Sequence, residues 1–131
     1  MKTILVDGAH TFLIEIDGIF GKFEEMHDLL KSFPNKKIIV TNATKENEFE
    51  KYGLNKVSCD VFTLEHKPNK TDPKYFEVLL ERFGLEKDDV VYFEHSPEAV
   101  ESARSVGINT YHYDSEKRDL VALKKFLVEN L

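Results

Sequence analysis

A single cysteine, Cys59, leaves no partner for an internal disulfide and makes a reducing compartment the simplest setting. There is no excess of basic charge: 18 lysine and arginine residues stand against 24 aspartate and glutamate residues, a formal charge of −6. That balance disfavours a nucleic-acid footprint, which needs a basic face to meet phosphates, and disfavours adhesion to an anionic membrane. The apolar run at the start, Ile4-Leu5-Val6, is too short for a signal peptide or a membrane span, so a cytoplasmic protein is expected. Tryptophan is absent, yet an apolar share of 41% with 10 phenylalanines is enough for a packed interior. No linker, low-complexity segment or repeat interrupts the 131 residues, and residues 1–131 are expected to form one domain around one core.

Short apolar runs alternate with helix-period stretches, the pattern of a parallel sheet covered by helices. Strands are expected at residues 3–6, 37–40, 57–63, 90–93 and 108–113. After the first strand, residues 12–16 and the breaks Asp17-Gly18 and Gly21 predict a strand or hairpin at the mouth of a site. One helical stripe joins Phe23, Met26, His27, Leu30 and Phe33 and is stopped by Pro34. A polar helix with Phe49 and Tyr52 inward closes at Gly53. Asp72-Pro73 opens a helix that buries Phe76, Leu79, Leu80 and Phe83, and Ser96-Pro97 opens another in the same manner, ending at Gly107. Leu120, Leu123 and Leu127 mark a final helix.

Four polar clusters fall just past expected strand ends or at helix starts: Asp7-Gly8-Ala9-His10-Thr11, Thr41-Asn42, Lys70 with Asp72, and Glu94-His95-Ser96. In a doubly wound sheet such points meet at one edge. Together they offer an anionic nucleophile, a hydroxyl and an amide to hold oxygens, a cation and a second acid, the parts that phosphoryl transfer needs. Each alone has a plainer explanation: a strand-terminal aspartate is usually a cap or turn residue, and a lone loop lysine is usually solvated. Their joint order raises the functional reading above those explanations. Asp17, with Gly21 four residues on, is expected to be a turn residue, as are Asp88 and Asp89 before the fourth strand. The glycine spacing of Gly18-Ile19-Phe20-Gly21-Lys22 is too short for a phosphate loop.

The order of these clusters resembles the haloacid dehalogenase (HAD)-like hydrolase superfamily along nearly the whole chain. Its first motif, Asp-x-Asp-x-Thr after a strand, is similar to Asp7-Gly8-Ala9-His10-Thr11. Its second corresponds to Thr41-Asn42, and its third, a lysine before an Asp-Pro helix start, to Lys70-Thr71-Asp72-Pro73. Lys67-Pro68 is a rival for that lysine, but the spacing to Phe76 favours Lys70. The fourth, a strand ending in an acidic pair before Ser-Pro, is similar to Phe93-Glu94-His95-Ser96-Pro97. The resemblance implies a three-layer Rossmann-like fold with a parallel five-stranded sheet in the order 3-2-1-4-5, a short flap hairpin after strand 1, and no cap domain. It implies Asp7 as the nucleophile of an aspartyl-phosphate, with Thr41 and Lys70 as its catalytic partners and Thr41, Asn42 and Lys70 on the phosphate. Asp7, the Ala9 carbonyl, Glu94 and the position of His95 would place Mg²⁺.

Two departures shape the expected function. Ala9 stands where the family has the aspartate that protonates the leaving group and activates water, help typically worth about 10²–10⁴-fold. His95 stands where the family has a second acid, and imidazole suits Zn²⁺ or other transition metals better than Mg²⁺. His10 and His95 are read first as partly exposed loop histidines, with replacement of the lost acid as the alternative. The first expectation is a phosphatase-type hydrolase with weakened or lost activity, and the second is a non-catalytic descendant that binds a phosphorylated ligand or another protein. Phosphonatases of the superfamily share Asp-x-Ala-x-Thr with Asp7, Ala9 and Thr11, but their Schiff-base lysine comes from a cap for which there is no room. An open site would suit a phosphorylated macromolecule, or a small molecule enclosed by a homodimer or protein partner.

Overall fold

The computed structural model describes residues 1–131. Five strands, β1 (Thr3–Asp7), β4 (Lys37–Thr41), β5 (Asp60–Thr63), β6 (Val90–Glu94) and β7 (Asn109–His112), form a parallel sheet in the order β5-β4-β1-β6-β7. Counted without the flap, this is the expected order 3-2-1-4-5. A separate antiparallel hairpin, β2 (Leu13–Ile16) and β3 (Ile19–Lys22), follows β1. Its turn places Asp17 and Gly18 at φ 53° and 79°, the doubly left-handed turn for which Asp-Gly is suited. Asp17 is thus a turn residue, as expected.

The central strands are apolar throughout because both faces are covered, and alternate side chains point to opposite faces. Ile4, Val6, Ile39, Val91 and Phe93 belong to one core cluster with Phe12, Met26, Leu30, Leu123 and Leu127. That face carries helices α1 (Glu24–Lys31) and α5 (Leu120–Asn130). Leu5, Ile38, Val40 and Tyr92 belong to the other cluster, under α3 (Pro73–Phe83) and α4 (Pro97–Ser105). Two helical layers around one sheet make the three-layer α/β architecture. No helix is long and apolar enough to cross a membrane.

The third expected strand is shorter than residues 57–63. Helix α2 (Glu48–Tyr52) ends at Gly53, whose φ of 74° reverses the chain, and a tight 3-10 turn, Leu54–Lys56, follows. Leu54 is driven into the core, while Val57 and Cys59 pack against the same cluster from its edge, and pairing with β4 starts only at Asp60. Phe49 and Tyr52 are half-buried; Tyr52 meets Phe20 of the hairpin edge-on at 4.8 Å. The Leu54 side chain therefore anchors this connection. Replacing it, Leu54→Ala, is expected to cost about 2–5 kcal/mol, as cavity-forming leucine losses do. Urea denaturation should show a lower midpoint with an unchanged slope.

Candidate functional site

Asp7, Thr41 and Glu94 are the last residues of β1, β4 and β6, three adjacent strands. Parallel pairing brings those ends to one edge, where the chain direction between successive strands reverses around β1, the usual crevice of such sheets. Asp7, Thr41, Asn42, Lys70, Glu94 and His95 line one cleft of about 220 Å³ there. Ala9 also lines it, and His10, Glu48 and His66 contribute to its wall. The four clusters expected to converge do so.

Lys70 lies in the connection between β5 and α3 and is buried at the cleft, whereas Lys67 is exposed. Its Nζ donates to Asp7 Oδ1 at 2.8 Å and to Glu94 Oε1 at 2.6 Å. Its main-chain N–H donates to Asn42 Oδ1 at 2.7 Å, so Asn42 holds the lysine loop as well as facing the cleft. Thr11 donates to Asp7 Oδ2 at 2.7 Å. The His95 ring donates to the same oxygen through Nδ1, and the His95 main-chain N–H approaches it at 3.3 Å. Glu94 accepts from the Tyr92 hydroxyl at Oε1 and from the Ser96 N–H at Oε2, 3.0 Å. The Thr41 hydroxyl oxygen accepts from the Ala43 N–H at 3.1 Å and donates to no protein group, which leaves its proton for a ligand oxygen.

The electrostatics follow from this geometry. Burial works against the Asp7 charge, but Lys70 and then His95 prevail and hold the carboxyl well below the usual carboxylate range. Burial likewise opposes the Lys70 charge, and Asp7 and Glu94 overcome it and raise its pKa. For His95, burial is outweighed by hydrogen bonds and charge from Asp7 and Glu94, and its pKa rises to about 10. Tyr92 is raised well above its ordinary value, first by burial and then by Glu94.

His95 is therefore a member of the site rather than a drifted loop residue, which corrects the first reading of it. His10 does behave as an exposed loop residue at φ 73°, packed edge-on to His95 at 5.4 Å and to Phe20 at 5.3 Å. Ser96 departs from the expected cap: its hydroxyl donates to Glu98 at 3.2 Å and its N–H serves Glu94, whereas Asp72 caps α3 through the Lys74 N–H at 2.9 Å. Two positioning residues escaped the sequence argument. Tyr75 is buried in the first turn of α3; its hydroxyl donates to the Thr41 carbonyl at 2.7 Å and accepts from the Thr41 N–H at 3.0 Å. Tyr92 shares a strand face with Glu94, two residues on, and that spacing is the signal that would have found it.

Asp7, Glu94 and His95 place one candidate ligand atom each within 4.8 Å of one another. Mg²⁺ demands near-octahedral oxygen ligands at about 2.0–2.1 Å. Each of the four carboxylate oxygens already accepts a protein hydrogen bond, and the His95 Nδ1 lies against Asp7 Oδ2 and 3.3 Å from Glu94 Oε2. In this arrangement the His95 nitrogen lies against both carboxylates and supplies no oxygen ligand of the kind Mg²⁺ prefers.

An α/β sheet with a carboxylate–lysine–carboxylate centre at its switch point defines the class. The haloacid dehalogenase-like hydrolase family matches residues 14–112, and the chain belongs to that family. The matched span contains the second, third and fourth clusters and begins beyond Asp7 and Thr11. No curated protein matches the chain. Among solved structures, it is similar to D,D-heptose 1,7-bisphosphate phosphatase from B. bronchiseptica, complexed with magnesium and phosphate, at TM-score 0.72 and 14% identity over 100% of both chains. A HAD family enzyme from Bacteroides thetaiotaomicron, an aspartate-to-alanine mutant with magnesium and inorganic phosphate, is similar at TM-score 0.61 and 12% identity over 86% of this chain and 93% of that one. A Thermotoga maritima protein assigned as a β-phosphoglucomutase shows 29% identity at TM-score 0.52 over 75% of this chain, but only 46% of that longer one.

Two outcomes test this site as a charge network. Lys70→Met would leave two buried carboxylates facing each other and is expected to destabilise the fold by about 3–5 kcal/mol in denaturant titrations. The second concerns pH. His95 has its folded pKa raised from the ordinary 6.5, so its stabilisation is complete below pH 6.5 and is lost as pH rises through about 10. Asp7 has the opposite sign: its share is present above the ordinary value of 3.8 and is lost as pH falls below it. The stability difference between the native chain and His95→Asn should be greatest just below pH 6.5 and shrink steadily towards pH 10.

Proposed function

We propose that this chain is a phosphatase-type HAD hydrolase with an open, capless site in which Asp7 accepts a phosphoryl group slowly. The observation that supports the reading is the Asp7 carboxylate itself: ionised, held by Thr11, Lys70 and His95, and set in a cleft with the free hydroxyl proton of Thr41. An Asp7 oxygen attacks phosphorus as the bond to the leaving oxygen breaks, giving an aspartyl-phosphate, and water then attacks phosphorus to release inorganic phosphate and restore Asp7. Lys70 offsets charge on the phosphoryl oxygens, while Thr41 and the Asn42 amide nitrogen bond to them. The leaving oxygen takes its proton from water, because the Ala9 methyl supplies none.

Between β1 and β4 the chain has only the hairpin β2–β3 and α1, so the cleft is open on that side. Such openness suits a phosphorylated macromolecule, or a small phosphorylated compound covered by a second copy or another protein, in a cytoplasmic setting. Ala9 favours a second reading, in which the cleft binds a phosphorylated partner without turnover. Assay of the purified chain on aryl and alkyl phosphates separates the two. The hydrolase reading expects slow release of phosphate, faster from aryl than from alkyl esters, abolished by Asp7→Asn and raised by Ala9→Asp by about 10²–10⁴-fold on alkyl esters. Absence of turnover in the native chain, with phosphate binding retained, would establish the binding reading instead.

A further inference from the structure

We infer that the His95 side chain takes the place of a divalent cation in this site, so that the Asp7–Glu94 pair is assembled and binds its phosphoryl ligand without Mg²⁺. The inference builds on the phosphoryl-site reading above and concerns the same cleft.

It stands on proton placement. Ionised Asp7 only accepts hydrogen bonds, so the nitrogen of His95 that meets Oδ2 must carry the hydrogen, in either charge state of the ring. A nitrogen that carries a hydrogen there has no lone pair to offer a metal. The same Nδ1 lies 3.3 Å from Glu94 Oε2, so it occupies the space between the two oxygens that an ion would have to share. The other oxygen of each carboxylate is bound by Lys70 Nζ, at 2.8 Å and 2.6 Å. Two nitrogens thus bridge the two acids, one through each pair of oxygens. A cation entering between Asp7 and Glu94 would have to expel one of them.

The residue is also held in this place. Its own main-chain N–H approaches Asp7 Oδ2, and its carbonyl accepts from His112 Nε2 at 3.0 Å. Its ring packs edge-on against His10, which in turn packs against Phe20 of the hairpin. On the far side, Ser96 N–H fixes the Glu94 oxygen nearest the ring. Swinging His95 aside for a metal therefore loses the Asp7 hydrogen bond and the aromatic contact together. Replacing His95 by aspartate exchanges this donor for two acceptor oxygens, the ligand type that Mg²⁺ prefers.

Isothermal titration of the purified full chain with MgCl2, MnCl2 and ZnCl2, without any substrate, tests the inference. The native chain should give no saturable metal binding at the site, and His95→Asp should bind Mg²⁺ saturably. His95→Ala, which uncovers the same oxygens without adding a ligand, should also gain saturable Mg²⁺ binding, weaker than that of His95→Asp, and serves if the aspartate variant does not fold. Saturable one-to-one binding of any of the three metals to the native chain, with an affinity matching His95→Asp, would overturn the inference. Inorganic phosphate binding, followed by ³¹P NMR, should be equal in EDTA and in Mg²⁺. Binding that needs Mg²⁺ overturns the inference. Absence of phosphate binding under both conditions overturns the phosphoryl-site reading, and the metal titration still decides the role of His95.

Discussion

The interaction on which this structure depends is the buried lysine between two buried carboxylates. Asp7 and Glu94 end neighbouring strands, so parallel pairing alone brings two like charges to one dry edge. Neither acid is tolerable in that position unless a positive group reaches it, because removing a charge from water costs several kcal/mol per ion even after relaxation. Lys70 reaches both. Its loop crosses from β5 to α3 above the strand ends, and Asn42 and Tyr75 hold that crossing to the end of β4. The ion pair is therefore a condition on the whole central sheet: β4, β1 and β6 must be in register for one amine to satisfy two carboxylates.

That condition explains why so much of the surrounding polar structure has no slack. Tyr75 donates to and accepts from the backbone of Thr41, and its hydroxyl oxygen lies 3.0 Å from the Phe62 carbonyl, which shares the same hydrogen, tying α3 to the ends of β4 and β5. Thr63 donates to the Ala43 carbonyl at 2.7 Å, closing the turn after β4. Tyr92 and Ser96 complete the coordination of Glu94 from its own strand and from the start of α4. Side chains locked by such partners change little when a ligand arrives, which is the property a preorganised anion site needs.

The fold was legible in the chain because both of its periodicities are clean. Alternate positions of β1 divide Ile4 and Val6 from Leu5, and the helical stripes of α1, α3 and α5 match the faces they bury. The polar clusters were legible because Asp7, Thr41 and Glu94 each terminate an apolar run, and Lys70 precedes an Asp-Pro helix start. What escaped was set by tertiary packing. Leu54 gave no strand or helix signal, yet its burial pulls residues 54–59 out of the sheet and shortens β5. Tyr75 carried no signal of its own in α3, since only the assembled sheet shows that its hydroxyl reaches two strand ends. His95 was misjudged for a related reason. Its sequence position resembles a lost acid, and only distances show that its ring nitrogen meets Asp7 Oδ2 and lies 3.3 Å from Glu94 Oε2.

In the proposed reading, Ala9 and His95 are the two departures from the pattern that the resemblance implies, and they are different in kind. Ala9 supplies no acid or base on that reading: a methyl neither gives nor takes a proton. His95 supplies a nitrogen that meets both Asp7 and Glu94, where the resemblance implies an acid. In the proposed reaction these losses act on different stages. Holding a phosphoryl group against Asp7 draws on Lys70, Thr41 and the bridged carboxylates, all of which are in place. Releasing the leaving oxygen draws on proton transfer, which is not. Interactions that stabilise the bound ground state as well as the transition state improve binding without raising turnover, and on the proposed reading those are the ones this cleft supplies. The expected balance is therefore competent capture and slow departure, with the chemistry of the leaving group, rather than the affinity for phosphate, deciding which compounds this site can process.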